Sequence, residues 1–232
     1  WEKGFLKKDN LKSFILISKG LENIYKELFP TATKKFSILH DACNIPEENI
    51  KIENYFSNNR LKVGYIGSFF EGNGFNIIPK LAEILKDVDF HVVGGKGPIL
   101  SELKSKYKLS NLIFHGHVPH SKISSIYNKI DIALSPYQES LPHIKWVSPM
   151  KIFEYMSYKK AIISSDFPVI REVLNDENSI LVKSDSIEEW VAAIENMKNI
   201  NLREALADNA YKLLVKKYTW KSRAKEIIKL IS

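Results

Sequence analysis

A single cysteine, Cys43, stands in 232 residues, so no disulfide can close within the chain. That usage fits a reducing compartment. Long apolar runs are also missing. The longest, such as Phe14 to Ser18 and Ala161 to Ile163, fall far short of the ~20 residues a membrane-spanning helix needs. Lys3, Lys7 and Lys8 lead into no apolar stretch of a secretion signal, and the opening Trp1 reads as an internal position of a longer protein. Repeats, low-complexity segments and the Gly-x-Ser-x-Gly nucleophile pattern are absent as well. What is present is ordinary for a globular chain: 44% apolar and 26% charged residues. The length suits one large domain, or one domain and part of another.

Arginine is scarce. Of 34 basic residues only Arg60, Arg171, Arg203 and Arg223 are arginines. Base-specific nucleic-acid reading favours arginine forks, so nucleic acid is not expected as a partner. The net charge of +7 is uneven: residues 201–232 hold eight basic and three acidic residues. A lysine-rich end suits a solvated surface or the face of an anionic membrane.

Short apolar strands alternate with amphipathic helices. Strands are expected at Lys62–Gly67, Val88–Val93, Asn111–His115, Asp131–Leu134, Ala161–Ser164 and Ile180–Val182. Helices are expected at Phe75–Leu85, from Pro98 through Leu103, at Ser121–Tyr127, Pro149–Tyr158 and Pro168–Leu174. Repeated βαβ units of this size imply an α/β fold, a Rossmann-like parallel sheet with helices on both faces. Ahead of it, Phe14–Ile17 and Phe36–Leu39 read as strands around a helix at Leu21–Leu28. Residues 45–60 are polar and read as a connector. From Ile187 onward the chain is helical, with Thr219 as the N-cap of the last helix.

In such sheets ligands bind beyond the carboxyl ends of the strands. Three stretches there carry chemistry. In Ser148-Pro149-Met150-Lys151-Ile152-Phe153-Glu154, Ser148 is expected to cap a helix begun by Pro149. The N–H groups of Met150 and Lys151 would then face an anion. Glu154, one turn on, could accept hydrogen bonds from a vicinal diol; a plain capped, amphipathic core helix is the competing reading. The loop Gly67-Ser68-Phe69-Phe70-Glu71-Gly72-Asn73-Gly74 lets backbone approach a ligand, or is only a flexible turn. Gly94, Gly95 and Gly97 allow the same two readings. His115, His117 and His120 lack acidic or thiol neighbours between Phe114 and Ser124, so they read as loop residues lining a crevice and not as a metal site.

These stretches, with His91-Val92-Val93-Gly94-Gly95, Phe114-His115-Gly116-His117-Val118, Ser135-Pro136-Tyr137 and Ser164 to Leu174, resemble the C-terminal half of GT-B glycosyltransferases, specifically the retaining family 4 enzymes of bacterial surface polysaccharide synthesis. The resemblance runs in order from residue 61 to about 183. It implies a nucleotide-sugar donor, with Glu154 holding the ribose and Met150 and Lys151 facing the diphosphate. Gly67 and Ser68 match the glycine loop beside the phosphates, with Asn73, Gly74, Gly94 and Gly95 around it. His117 and Val118 fall where the base approaches, and Ser148 precedes the helix start. The resemblance implies no metal or other cofactor. Residues 1–44 then read as the end of an acceptor-binding domain, 61–200 as the donor domain, and 201–232 as helices returning to the first part. No catalytic residue is expected in this chain, because the family's catalytic histidine lies in the domain before it.

Two departures stand out. The first glutamate of the family's Glu-x7-Glu motif is replaced by Trp146, and the basic pair of the glycine loop by Ser68 and Asn73. Charge on the diphosphate must then meet helix N–H groups, Lys145 or Lys151. The expected whole is an enzyme moving sugar with retention to a glycan or lipid-linked acceptor, cytoplasmic, with peripheral contact at the inner membrane face. Two alternatives are a nucleotide-sugar-binding partner subunit without turnover and a GT-B sugar-nucleotide epimerase.

Overall fold

The computed structural model describes residues 2–46 and 60–232. Most of the expected connector, residues 47–59, lies outside the described residues, as does Trp1.

The first part holds helix α1 (Glu2–Leu6), strand β1 (Phe14–Leu16), helix α2 (Lys19–Leu28), a 3-10 turn at Pro30–Lys35, and strand β2 (Phe36–Ile38). β1 and β2 pair in parallel as a two-stranded sheet. Aromatic rings fill its face, with Phe14 5.4 Å from Tyr25 and 6.2 Å from Phe36. Neither α1 nor the Pro30–Lys35 turn is evident in the sequence, since five- and six-residue segments carry too little period.

The main part alternates strand and helix. Strand β3 (Leu61–Ile66) leads through a 3-10 turn at Phe75–Ile77 into helix α3 (Ile78–Ile84), then strand β4 (Val88–Val93), helix α4 (Gly97–Lys106) and strand β5 (Leu112–Gly116). A 3-10 turn at His120–Lys122 precedes helix α5 (Ser124–Tyr127), followed by strand β6 (Ile132–Ser135), helix α6 (Met150–Ser157), and strands β7 (Ala161–Ser165) and β8 (Ile180–Val182). Three helices close the chain: α7 (Ile187–Asn196), α8 (Ile200–Lys217) and α9 (Trp220–Ile231). Thr219 caps α9, accepting the Ser222 N–H at 3.0 Å.

All six strands are parallel, in the order β5-β4-β3-β6-β7-β8. Both faces are covered, and the alternation along each strand decides which side chain goes where. Ala133 and Ile162 join a core with Tyr127, Ile152, Phe153, Ala210 and Leu214. Their neighbours Leu134 and Ile163 join the opposite core with Tyr65, Phe90, Leu81 and Trp190. The chain leaves β3 toward β4 and returns to β6 on the other side of β3. The adjoining carboxyl ends of β3 and β6 are therefore the switch point of the sheet.

The structure corrects several expectations. Pro168–Leu174 is not a helix but two successive tight turns. Asn178 takes the Val173 carbonyl with its Nδ2 and accepts the Asn175 N–H at 2.9 Å, so side-chain bonds replace the ladder a helix would extend. Ser148 does not cap α6; the cap residue is Pro149, with no side-chain bond, and the Ser148 hydroxyl accepts the Asp41 N–H at 3.0 Å. His115 lies within strand β5, as the strand expected at Asn111–His115 has it, and so does not line a loop; the register slips beside it between Val92 and Val93.

One carboxylate gathers several of the bonds between the first part and the main part. Glu172 accepts the N–H groups of Lys19 at 2.7 Å and Gly20 at 3.2 Å, at the start of α2, and bonds His40 Nε2 at 2.8 Å. Ser18 caps α2 and donates to the Trp146 carbonyl at 2.9 Å.

Candidate functional site

Gly67 follows strand β3; its N–H bonds the Val93 carbonyl at 3.0 Å and keeps the β3 and β4 ends together. Gly94 follows β4 with φ +144°, and a Cβ there would lie 2.0 Å from the Gly67 carbonyl oxygen. The two backbones can approach this closely only without a side chain. Gly95 packs under the Phe69 ring. Gly74 has φ +81° and sits against the Pro136 carbonyl, which joins the far end of the loop to the end of β6. Gly67, Ser68, Asn73, Gly74, Gly94 and Gly95 thus form one rim over the carboxyl ends of β3 and β4.

The loop is held internally. Asn73 Nδ2 donates to the Ser68 hydroxyl at 3.0 Å. The buried Tyr65 hydroxyl donates to the carbonyl of Ser68 at 2.6 Å and of Asn73 at 3.3 Å. The two positions where a basic pair was expected by resemblance therefore form a neutral pair bonded to each other. The loop brings no cation of its own at these places.

The cation comes from α6. Lys151 Nζ lies 4.0 Å from the centre of the Tyr137 ring and 5.6 Å from that of Tyr65. Tyr65 is on β3 and Tyr137 follows β6, so the ammonium sits at the switch point. It makes no ion pair among the described residues. Burial pulls its pKa down to about 7. Beside it, the N–H groups of Met150 and Lys151 open the helix without a partner among the described residues. Tyr155 of the same helix donates to the Leu134 carbonyl at 3.2 Å and fixes α6 to the end of β6.

Glu154 faces a neighbouring cleft of about 240 Å³ lined by Asn44, Ile45, His120, Met150, Tyr158 and Trp220. Its Oε2 accepts the Tyr127 hydroxyl at 3.0 Å, and Oε1 lies 3.4 Å from His120 Nε2. His117 and Val118 follow β5; His117 is exposed, and Val118 packs on the core beside α6. His115 is turned away from the rim and bonds His91 at 2.9 Å. Trp146, half-exposed, lies 5.6 Å from the His143 ring. Among the described residues no group of three or more His, Cys, Asp or Glu could hold a metal ion.

Sequence reasoning missed Tyr65, Tyr127 and Tyr137. Each looks like one more core aromatic in sequence. Only the fold shows that their hydroxyls or faces meet Ser68, Glu154 and Lys151.

Residues 60–200 match the family described as glycosyl transferases group 1. The chain belongs to that family. This group 1 glycosyltransferase chain is 28% identical over 231 residues to an uncharacterized glycosyltransferase of Methanocaldococcus jannaschii, covering 93% of this chain and 57% of the relative. It is 26% identical over 184 residues to the phosphatidylinositol N-acetylglucosaminyltransferase GPI3 subunit of Saccharomyces cerevisiae, covering 75% of this chain and 39% of that one. The chain thus spans about half or less of the curated relatives it matches. Among solved structures it resembles Anabaena HepE in complex with UDP, with TM-score 0.76, 14% identity, and coverage of 94% of this chain and 63% of HepE. It also resembles sucrose-phosphate synthase of Thermosynechococcus elongatus, with TM-score 0.73, 17% identity, and coverage of 99% and 59%. The architecture of this family member, a parallel sheet flanked by helices, is that of GT-B glycosyltransferases.

Proposed function

We propose that this chain binds a nucleoside diphosphate sugar and forms the donor half of a retaining family 4 glycosyltransferase. The observation that carries the reading is the Lys151 ammonium, unpaired with any acid among the described residues, beside the open N–H groups of α6 at the switch point of the sheet. A diphosphate there would meet one cation and two N–H donors. That set can stabilise the charge that grows on the leaving diphosphate as the sugar bond breaks, with no metal in the scheme. Glu154 would take the ribose diol, His117 and Val118 would line the base, and the glycine rim would admit the phosphates and sugar. HepE and its complex with UDP-glucose, on the same architecture, support a uridine diphosphate as the first donor to try.

Sugar transfer to a glycan or lipid-linked acceptor belongs to the whole protein, in which acceptor and donor meet across a cleft. Retention fits attack from the face the diphosphate leaves. The many lysines of α8 and α9 support a peripheral contact with an anionic membrane that carries such an acceptor. A second reading, a partner subunit that binds donor without turnover, rests on Trp146 in place of a sugar-touching carboxylate. The test is isothermal titration with donor followed by a transfer assay on the full-length protein. Binding with transfer supports the enzyme, binding without it the partner subunit, and no binding ends both.

A further inference from the structure

Among the described residues, the Tyr127 hydroxyl donates the side-chain hydrogen bond that Glu154, the acid facing the cleft, accepts. Tyr127 is completely buried and ends α5. Its ring stacks on Tyr158 at 4.1 Å with a 16° tilt and meets Tyr155 edge-on at 6.0 Å. Three rings therefore fix where the hydroxyl points. Burial raises the Tyr127 pKa well above that of a free phenol, so the hydroxyl stays a donor throughout the neutral range.

We infer that Tyr127 is a positioning residue for donor recognition: it holds Glu154 Oε2 so that the carboxylate presents its remaining acceptor sites to the two ribose hydroxyls. This rests on the reading of Glu154 as the ribose anchor. A carboxylate offers about four acceptor positions, and Tyr127 uses one of them. Oε1 faces the cleft beside His120, an 85% exposed side chain that a ligand can displace. Without the Tyr127 bond the glutamate would be free to rotate about its side-chain torsions. The diol would then have to order it, which lowers affinity without removing any atom that touches the ligand.

The test uses the 232-residue chain with UDP, GDP and ADP and their 2′,3′-dideoxy counterparts, followed by calorimetric titration. Wild type should prefer the ribo form by about tenfold or more, and Glu154→Gln should lose that preference. Tyr127→Phe keeps the ring packing and should lose roughly three- to tenfold in ribo-nucleotide affinity, with dideoxy affinity unchanged. A merely structural role would move both ligands together. Should Tyr127→Phe fail to fold, Tyr127→Met decides: it fills much of the ring's space, leaves Glu154 intact but offers it no hydroxyl, and should show the same selective loss. Full discrimination in Tyr127→Phe, or in Tyr127→Met, alongside a loss in Glu154→Gln, overturns the inference alone. No discrimination by wild type, or none lost in Glu154→Gln, overturns the ribose reading and this inference with it.

Discussion

The Lys151 ammonium rests 4.0 Å above the centre of the Tyr137 ring, with no carboxylate pairing it among the described residues. In the proposed function this cation, on an aromatic face at a helix start, receives the diphosphate of the donor. Its pKa of about 7 means that roughly half of the molecules lack the charge at neutral pH. A bound diphosphate favours the charged form. Binding should therefore take up a proton, and affinity should fall by on the order of tenfold between pH 7.5 and 8.5. Lys151→Met should bind diphosphates weakly and with a flat pH profile over that range. Titration in two buffers of different ionisation enthalpy counts the proton directly.

Gly94→Ala should be costly. The new methyl would lie 2.0 Å from the Gly67 carbonyl oxygen, at a φ of +144° that side chains rarely adopt. Strain of this kind costs roughly 1–3 kcal/mol, before the displacement of the loop is counted. Urea unfolding should show the loss, and donor affinity should fall with it.

Glu172→Ala should loosen the first part of the chain from the sheet. It removes the acceptor for two N–H groups at the start of α2 and the partner of His40. Hydrogen bonds to a charged group contribute about 1.5–3 kcal/mol each when they are not made elsewhere, and water recovers part of that here. A loss of about 2–4 kcal/mol is expected. Hydrogen exchange should quicken in residues 14–38 well before it does in β3 to β7.

The His91–His115 pair should make the fold labile to acid. Burial, the neighbouring His115 and the cations Lys62 and Lys129 pull the His91 pKa down to about 4, against some help from Asp89. Burial, Lys129 and Lys104 lower that of His115. Both rings are neutral in the fold and take up protons on unfolding. Stability is thus complete above pH 6.5 and falls as the pH drops toward 4, by up to about 3 kcal/mol from His91. His91→Asn should flatten the pH dependence of the melting temperature between pH 4 and 6.5.

The basic end makes a weaker but separable prediction. Trp220, Ile228 and Ile231 are exposed on α9, between Lys221, Lys225 and Lys229. Vesicles containing anionic lipid should retain the chain at low salt and release it at high salt, as each lysine near the surface contributes about 1 kcal/mol and is screened. No retention at low salt ends the membrane proposal.

The sheet was legible because each strand is a buried apolar run bounded by glycine, proline or a polar turn, and Val88–Val93 has the same limits in sequence and structure. Helix α6 was legible from Pro149 and the apolar spacing of Ile152, Phe153 and Met156. What failed were decisions made by side chains far apart in the chain. Ser148 looks like a cap until Asp41, more than a hundred residues earlier, claims its hydroxyl. Pro168–Leu174 has a helical pattern, yet it folds as turns closed on the Phe167 and Ile170 carbonyls, and Asn178 binds its end at the Val173 carbonyl. Glu154 could be read from its place on α6, whereas Tyr127 and Tyr137 could not. Their contacts depend on the order of strands in the sheet, which no local pattern encodes.

In the proposed function, the switch point between β3 and β6 takes a nucleoside diphosphate on Lys151 and the start of α6. Its most direct test is calorimetric titration of the 232-residue chain with UDP, GDP and ADP, each beside its bare nucleoside. At least one diphosphate should bind, its nucleoside should bind at least tenfold more weakly, and Lys151→Met should remove most of the difference. No binding of any diphosphate, or equal binding of diphosphate and nucleoside, would contradict that function.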